Sequence, residues 1–317
     1  MRMLVSGSGG LIGRALVARL ASDGHAVHRV VRGAPAPGEA AFDLAGRRLD
    51  LSGLPGGNLD RIDAVFHLSG ARLTPVRWGR AKRESVRASR VVTTDLLARA
   101  IAAADTPPTV FVSASAVGYY GSRGDEELDE TSLPGSGFLA ELCRAWEAAA
   151  APARDAGIRV VNIRTGIVLA RANPLIEMQL PIFRAGLGPH LGSGRQWMSW
   201  IALDDEVAAV IHTALTPAVD GPCNLTAPNP ARNAEFAEAF ARAVRRRSLY
   251  GIPRFMLDAA LGREVVENIT LASQRVLPRK LVETGFSFAY PRLDGALAAA
   301  LAAPRRPALD PGDDSSP

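Results

Sequence analysis

Three glycines, Gly7, Gly10 and Gly13, stand at G-x-x-G-x-x-G spacing behind the apolar run Met3-Leu4-Val5. Ahead of them the periodic set Leu11, Ala15, Leu16 and Leu20 opens a helix. A strand, a glycine turn and a helix start in that order can hold a phosphate, because the N–H groups of the turn and the positive end of the helix face the anion. Gly7 permits the tight turn, Gly10 leaves room for a pyrophosphate, and Gly13 lets helix and strand pack closely. With Ser8, Leu11 and Ile12 they form the expected first half of a dinucleotide site. The segment His25–Arg32 reads as the second strand. An NAD site places an acidic residue near its end to hold the ribose 2′-hydroxyl. This chain has Arg32 there, followed by Gly33. A guanidinium fork suits a 2′-phosphate, so NADP is the expected cofactor.

These residues need elements to position them, and the chain supplies a regular alternation. Strands are expected at 63–71, 109–113 and 159–164, and long helices at 80–104 and 137–156. Residues 33–60 read as irregular, with a short strand at 41–43. Strand–helix alternation predicts an α/β, Rossmann-type doubly wound parallel sheet with right-handed crossovers. Ligands then sit at the strand C-terminal ends, where the glycine turn, Arg32, Leu68, Ser69, Gly70, Ser113, Ser115, Arg164 and Gly166 converge. The expected organisation is an NADP-binding domain over 1–170 plus a helix near 203–215. A smaller α+β substrate domain follows over 171–303, with helices near 233–245 and 253–262, and then a disordered Pro- and Asp-rich tail over 304–317.

Bulk composition removes several function classes. The chain has 317 residues and 47% hydrophobic content, enough for a large core. It has no apolar run long enough to span a membrane and no signal peptide ahead of its first strand, so no membrane partner and a cytoplasmic setting are expected. Cys143 and Cys223 give no disulfide framework, and no histidine pair has ligand spacing, so no metal is expected. The net charge is +5, but only Lys82 and Lys280 are lysines, and the arginines are spread along the chain. The dense run Arg245-Arg246-Arg247 reads as a solvated helix end, so no nucleic-acid partner is expected.

Several phrases carry a family likeness: Leu68-Ser69-Gly70-Ala71, Arg77-Trp78, Ser89-Arg90, Ser115–Gly121, and Phe138-Leu139-Ala140-Glu141-Leu142-Cys143 with Trp146-Glu147. Others are Arg164-Thr165-Gly166-Ile167-Val168-Leu169, Gly186–Ile201, and Ser273-Gln274-Arg275 with Pro278. Together the chain resembles an atypical extended short-chain dehydrogenase/reductase. More narrowly it is similar to the epimerase-family SDR39U-type proteins with a C-terminal domain of unknown function, in the NAD-dependent epimerase/dehydratase superfamily. The resemblance implies NADP binding, with Arg32, Leu68, Ser69, Arg90 and Val168 near the cofactor. It implies no particular substrate.

The same resemblance raises a catalytic problem. Short-chain dehydrogenases use a tyrosine and, four residues later on one helix, a lysine that lowers its pKa, with a serine on the preceding strand. Ser115 is the serine. The helix at 137–156 has no tyrosine and no lysine; Phe138 or Leu139, and Leu142 or Cys143, stand in their places. Tyr120 can serve as the acid, or can join Tyr119 as an aromatic wall of the substrate pocket. Glu141 can serve as base or cap a solvent face. Arg77, Trp78, His190 and Arg195 are expected near the substrate, and Arg195 can instead pair with Asp204 or Asp205. Relatives often carry histidine where this chain has Ala202. Three functions stay open: an NADP-dependent oxidoreductase or epimerase on a small molecule, a non-catalytic NADP-binding sensor or scaffold, and a redox-neutral dehydratase or isomerase. A homodimer through the helices at 80–104 and 137–156 is a candidate assembly.

Overall fold

The computed structural model describes residues 1–71, 79–248 and 250–302. The expected tail at 304–317 and the expected substrate residues Arg77 and Trp78 lie outside these. The fold is the expected α/β, Rossmann-type sheet. Its strands in chain order are β1 (Arg2–Ser6), β2 (Ala26–Arg32), β3 (Glu39–Asp43), β4 (Arg48–Asp50), β5 (Ala64–His67), β6 (Val110–Ala116), β7 (Arg159–Thr165) and β8 (Gly221–Leu225). Across the sheet they run β8-β7-β6-β5-β1-β2-β3-β4. All pairs are parallel except β3 with β4. The chain builds outward from β1 through β2 and β3, then returns to β5 on the other side. That reversal opens a crevice beyond the C-terminal ends of β1 and β5, where open α/β sheets bind ligands.

Runs such as Met3-Leu4-Val5, Ala64-Val65-Phe66 and Val110-Phe111-Val112 are buried, as strands covered on both faces require. On one face the core joins them to Leu16 and Leu20 of α1 (Leu11–Ser22) and to Val207 and Val210 of a helix at Leu203–Leu215. On the other face it joins them to Leu97 and Ile101 of α2 (Arg80–Ala102). A separate apolar cluster, with Phe183, Trp200, Phe236 and Phe240, builds the rest of the chain against Leu169 and Leu297.

Three expectations change. The helix expected over 137–156 is two, α3 (Phe138–Ala148) and α4 (Ala151–Asp155). Pro152, in the first turn of α4, has no N–H to continue the ladder. The segment 33–60 is more regular than expected, because β3 and β4 pair as a hairpin. Residues 221–225, expected in the smaller domain, form β8 and extend the main sheet beside β7, so the chain crosses the division expected at residue 170 more than once.

Polar groups inside the sheet are few and placed in register. Ser6, His67, Ser113 and Asn162 are neighbours across β1, β5, β6 and β7. The Thr93 hydroxyl donates to the Ser89 carbonyl at 2.8 Å, so it accepts from His67 Nε2, 3.2 Å away. His67 Nδ1 then accepts from Ser6 Oγ at 2.6 Å. Full burial pushes His67 from 6.5 down to about 3. On the opposite face Thr165 donates to the buried Glu206 at 2.8 Å, and burial pushes that carboxyl from 4.5 up to about 8.

These two groups bias stability in opposite directions. His67 binds its proton less readily folded than unfolded, so its contribution is lost as pH falls from about 6.5 towards 3. Glu206 binds its proton more readily folded, so its contribution is lost as pH rises from about 4.5 towards 8. Each limb approaches a slope of about 1.4 kcal/mol per pH unit. Urea unfolding across pH 4–8 is expected to show a shallower acid limb in His67→Gln and a shallower alkaline limb in Glu206→Gln. Limbs unchanged by these substitutions would contradict the assignment.

Candidate functional site

The glycine turn has the geometry that its spacing predicts. Gly7 sits at φ 69°, and a Cβ there would lie 2.7 Å from the Leu68 carbonyl and 2.9 Å from Ser69 N. A Cβ on Gly13 would lie 2.0 Å from the Gly7 oxygen. The glycines therefore let α1 press on the turn, and the turn on Leu68 and Ser69 at the end of β5. Gly10 caps α1 with no side-chain bond, and the first turn holds no acid, so that helix end keeps its positive character. Ser8 lies in the turn, while Leu11 and Ile12 pack against the core. Arg32 ends β2 on the same edge, exposed.

Arg90 does something narrower than expected. Its guanidinium donates to the carbonyls of Ala71 (3.0 Å) and Val86 (3.2 Å) and stacks 5.0 Å from the Trp146 ring. A Cβ on Gly70 would come within 3.1 Å of it. Burial lowers its pKa to about 10. Arg90 thus holds the Gly70–Ala71 loop that follows Leu68 and Ser69.

Beyond β6 and β7 lies a buried charged cluster. Ser115 and Arg164 are register neighbours at the ends of these strands. Arg164 Nε and Nη2 donate to the two oxygens of Glu147 on α3, each at 2.9 Å. The two side chains are 3% and 13% exposed. Ser115 Oγ donates to the same carboxylate at 2.7 Å. Arg164 Nη1 donates to Tyr120 Oη at 2.9 Å, which donates to Asn224 of β8 at 2.7 Å. The guanidinium carbon lies 3.5 Å from the centroid of Tyr119.

This cluster corrects two expectations. Glu141 is exposed, and the carboxylate that meets Ser115 is Glu147. Six residues on α3 is about one and two-thirds turns, so Glu141 points away. Tyr120 is fully buried, its hydroxyl is used in both directions, and burial raises its pKa, so it is no acid for a bound molecule. Leu139 and Cys143, two of the residues weighed for the places of the tyrosine and lysine, both lie against Gly118. Burial pushes the Cys143 thiol up to about 12, so it stays neutral.

Other expected residues divide in the same way. Ser113 is buried on β6, its Oγ without a partner among the described residues. Gly166 is needed for packing, since a Cβ would lie 2.7 Å from the Ser199 carbonyl, and Val168 is in the core. The half-buried His190 ring packs on Gly194 and Gly251. It fills space that a Cβ on Gly251 (2.3 Å) or Gly194 (3.0 Å) would need. Arg195 does not pair with Asp205, which instead accepts the backbone N–H groups of Ala289 and Tyr290. Glu147 and Asn224 were not singled out as chemical residues. A signal for Glu147 did exist: 139, 143 and 147 share one helix face.

Comparisons agree with this architecture. The model of the NAD dependent epimerase/dehydratase family matches residues 3–225, and a domain of unknown function, DUF1731, matches residues 252–300. The chain is 42% identical to an epimerase family protein of Mycobacterium bovis over 95% of its own length and 97% of that protein's. It is 37% identical to human epimerase family protein SDR39U1, covering 94% of this chain and 98% of that one. A crystal structure of the human SDR39U1 protein with NADPH superposes with a TM-score of 0.85 at 36% identity, over 96% of this chain and all (100%) of that one. A nucleoside-diphosphate sugar epimerase from Corynebacterium glutamicum gives 0.75 at 36% identity, over 95% of this chain and 58% of that one.

Removing one member of the ion pair leaves a buried charge unpaired. Arg164→Gln is expected to cost about 3–5 kcal/mol of unfolding free energy. Adding Glu147→Gln should recover part of that loss in urea unfolding. Additive losses would show that the two side chains are not coupled.

Proposed function

The chain belongs to the NAD dependent epimerase/dehydratase family, and from that premise we propose that it is an NADP-dependent oxidoreductase or epimerase of a hydroxyl- or carbonyl-bearing small molecule. Ser115 and Glu147 act in place of the tyrosine–lysine pair. The observation that carries this reading is the Ser115–Glu147–Arg164 cluster at the C-terminal ends of β6 and β7, on the same edge of the sheet as the glycine turn. The human relative solved with NADPH supports the choice of cofactor. The turn fits such a group: it has a bare helix N-terminus, glycines that leave space for a pyrophosphate, and Arg32 where a 2′-phosphate would lie. Bound NADP supplies the hydride donor or acceptor.

The chain's own residues handle the proton. The Ser115 hydroxyl hydrogen is directed at Glu147 and its oxygen is hydrogen-bonded to the Cys143 thiol, which leaves one lone pair for a ligand hydroxyl. A proton leaving that hydroxyl passes to Ser115 Oγ as the serine proton passes to Glu147. Arg164 fixes the carboxylate by two hydrogen bonds and offsets its charge. Carbonyl reduction runs the same relay backwards.

A second reading has its own support. Leu139 and Cys143, which carry no acid or cation, lie on the helix face that leads to Glu147, and both oxygens of that carboxylate are already engaged by Arg164. That favours a non-catalytic NADP-binding sensor.

Fluorescence titration separates cofactors first. NADPH is expected to bind at least tenfold more tightly than NADH. Arg32→Ala should weaken NADPH binding by about 10- to 100-fold while leaving NADH unchanged. Equal affinities would remove the 2′-phosphate role of Arg32. In a panel of hydroxy and keto compounds, Ser115→Ala and Glu147→Gln should each reduce NADPH turnover by about 100-fold or more. Tight NADPH binding with no turnover across the panel would favour the sensor.

A further inference from the structure

We propose that a cavity between Arg195 and Arg232 binds an oxyanion, a phosphate or carboxylate, at the end of the substrate far from Ser115. The proposal rests on the oxidoreductase reading only in calling that molecule a substrate; the anion site itself stands on its own geometry.

The cavity has a volume of about 280 Å³, and Gly124, Asp125, Arg195, Gln196, Arg232 and Ser273 are among its walls. That is room for the terminal oxyanion group of a ligand. Gly192 and Gly194, at φ 60° and 69°, turn the loop that presents Arg195. The backbone of Arg195 is fixed at both ends: its N–H donates to Ser193 Oγ at 3.3 Å, and its carbonyl accepts from Arg232 Nη1. Its side chain is exposed, and its guanidinium makes no hydrogen bond among the described residues.

Arg232 is built in more rigidly. It lies 4.5 Å from the centroid of Trp197, and Arg275 lies 4.8 Å from the same ring. Its Nη2 donates to Asp125 Oδ1 at 3.0 Å, and Trp197 Nε1 donates to that same oxygen at 2.8 Å. Those two bonds, with Trp197 the stronger, hold the Asp125 carboxyl below the usual carboxylate range. The one acid in the wall is therefore ionised and already engaged. Its single negative charge faces both guanidiniums, Arg232 through a hydrogen bond and Arg195 through space, so two cations share one anion and the wall keeps a net positive charge. A guanidinium with unused parallel N–H groups selects carboxylate or phosphate, which accept two bonds at once.

The cavity is tied to the proton relay. Ser273 lines it, and its carbonyl accepts from the Arg123 N–H at 2.9 Å. The next residue, Gln274, donates from Nε2 to the Val117 carbonyl at 3.1 Å. Val117 opens the turn Val117–Tyr120 that follows Ser115 on the chain. A ligand anchored by its anion at Arg195 would extend along this wall towards Ser115.

The test titrates the full-length chain, saturated with NADPH, by calorimetry at fixed ionic strength with inorganic phosphate and separately with acetate. Saturable binding of either anion is expected, weakened at least tenfold in Arg195→Gln, with NADPH affinity unchanged. The stronger of the two anions names the group. Arg247→Gln, an exposed arginine outside the cavity, should bind as wild type does. Binding that survives Arg195→Gln, or no saturable binding of either anion, overturns the proposal. Arg195-dependent phosphate binding by a chain that does not take NADPH would keep the anion site and defeat the cofactor reading. NADPH binding without it would do the reverse.

Discussion

The ion pair between Arg164 and Glu147 is the interaction on which the rest of the site depends. Taking two charges out of water costs several kcal/mol each, and only good geometry with further hydrogen bonds offsets that. Here the guanidinium meets both carboxylate oxygens, and its third nitrogen, Nη1, donates to Tyr120. Ser115 adds a third bond to the carboxylate. The pair thereby fastens α3 to β7, the Val117–Tyr120 turn to both, and Asn224 of β8 through Tyr120. Asn224 in turn donates to the Leu277 carbonyl at 3.0 Å, which brings the C-terminal segment against the sheet.

The pair also changes the kind of chemistry the strand ends offer. In the arrangement that the family likeness implies, the helix carries an acid and a cation on successive turns. On α3 of this chain Leu139 and Cys143 are apolar or neutral, and Glu147, on the next turn along the same face, carries an anion. The cation comes from the sheet instead. The charge pattern is inverted between helix and strand, yet a hydroxyl on β6 still has a proton acceptor 2.7 Å away. Hydroxyl, carboxylate and guanidinium form one hydrogen-bonded set at the strand ends.

Much of the fold was legible because its determinants are local. Apolar runs gave the strands, and the glycine spacing gave the turn, since a Cβ at Gly7 or Gly13 would collide with backbone. The break at Pro152 was equally local and was passed over in favour of a continuous apolar pattern. The candidate site was less legible because tertiary contacts decide it. Tyr120 looks available in sequence, and only the packing of Asn224 and Arg164 shows its hydroxyl to be fully used. Glu141 and Glu147 are alike in type. Which one faces Ser115 depends on how α3 is rotated against the sheet, and buried Leu142, Cys143 and Trp146 set that rotation. His190 sits in a glycine loop, and its ring packs on one glycine of that loop, Gly194, and on Gly251 far along the chain.

Whether Ser115, backed by Glu147, faces a bound nicotinamide decides between a working relay and a sensor. A crystal structure of the NADPH complex tests it most directly. The pyrophosphate is expected on the Gly7–Gly13 turn, the 2′-phosphate on Arg32, and the nicotinamide ring beside Ser115, with the Glu147–Arg164 pair intact. A nicotinamide directed away from the end of β6, or a Glu147 carboxylate withdrawn from Ser115, would contradict the relay.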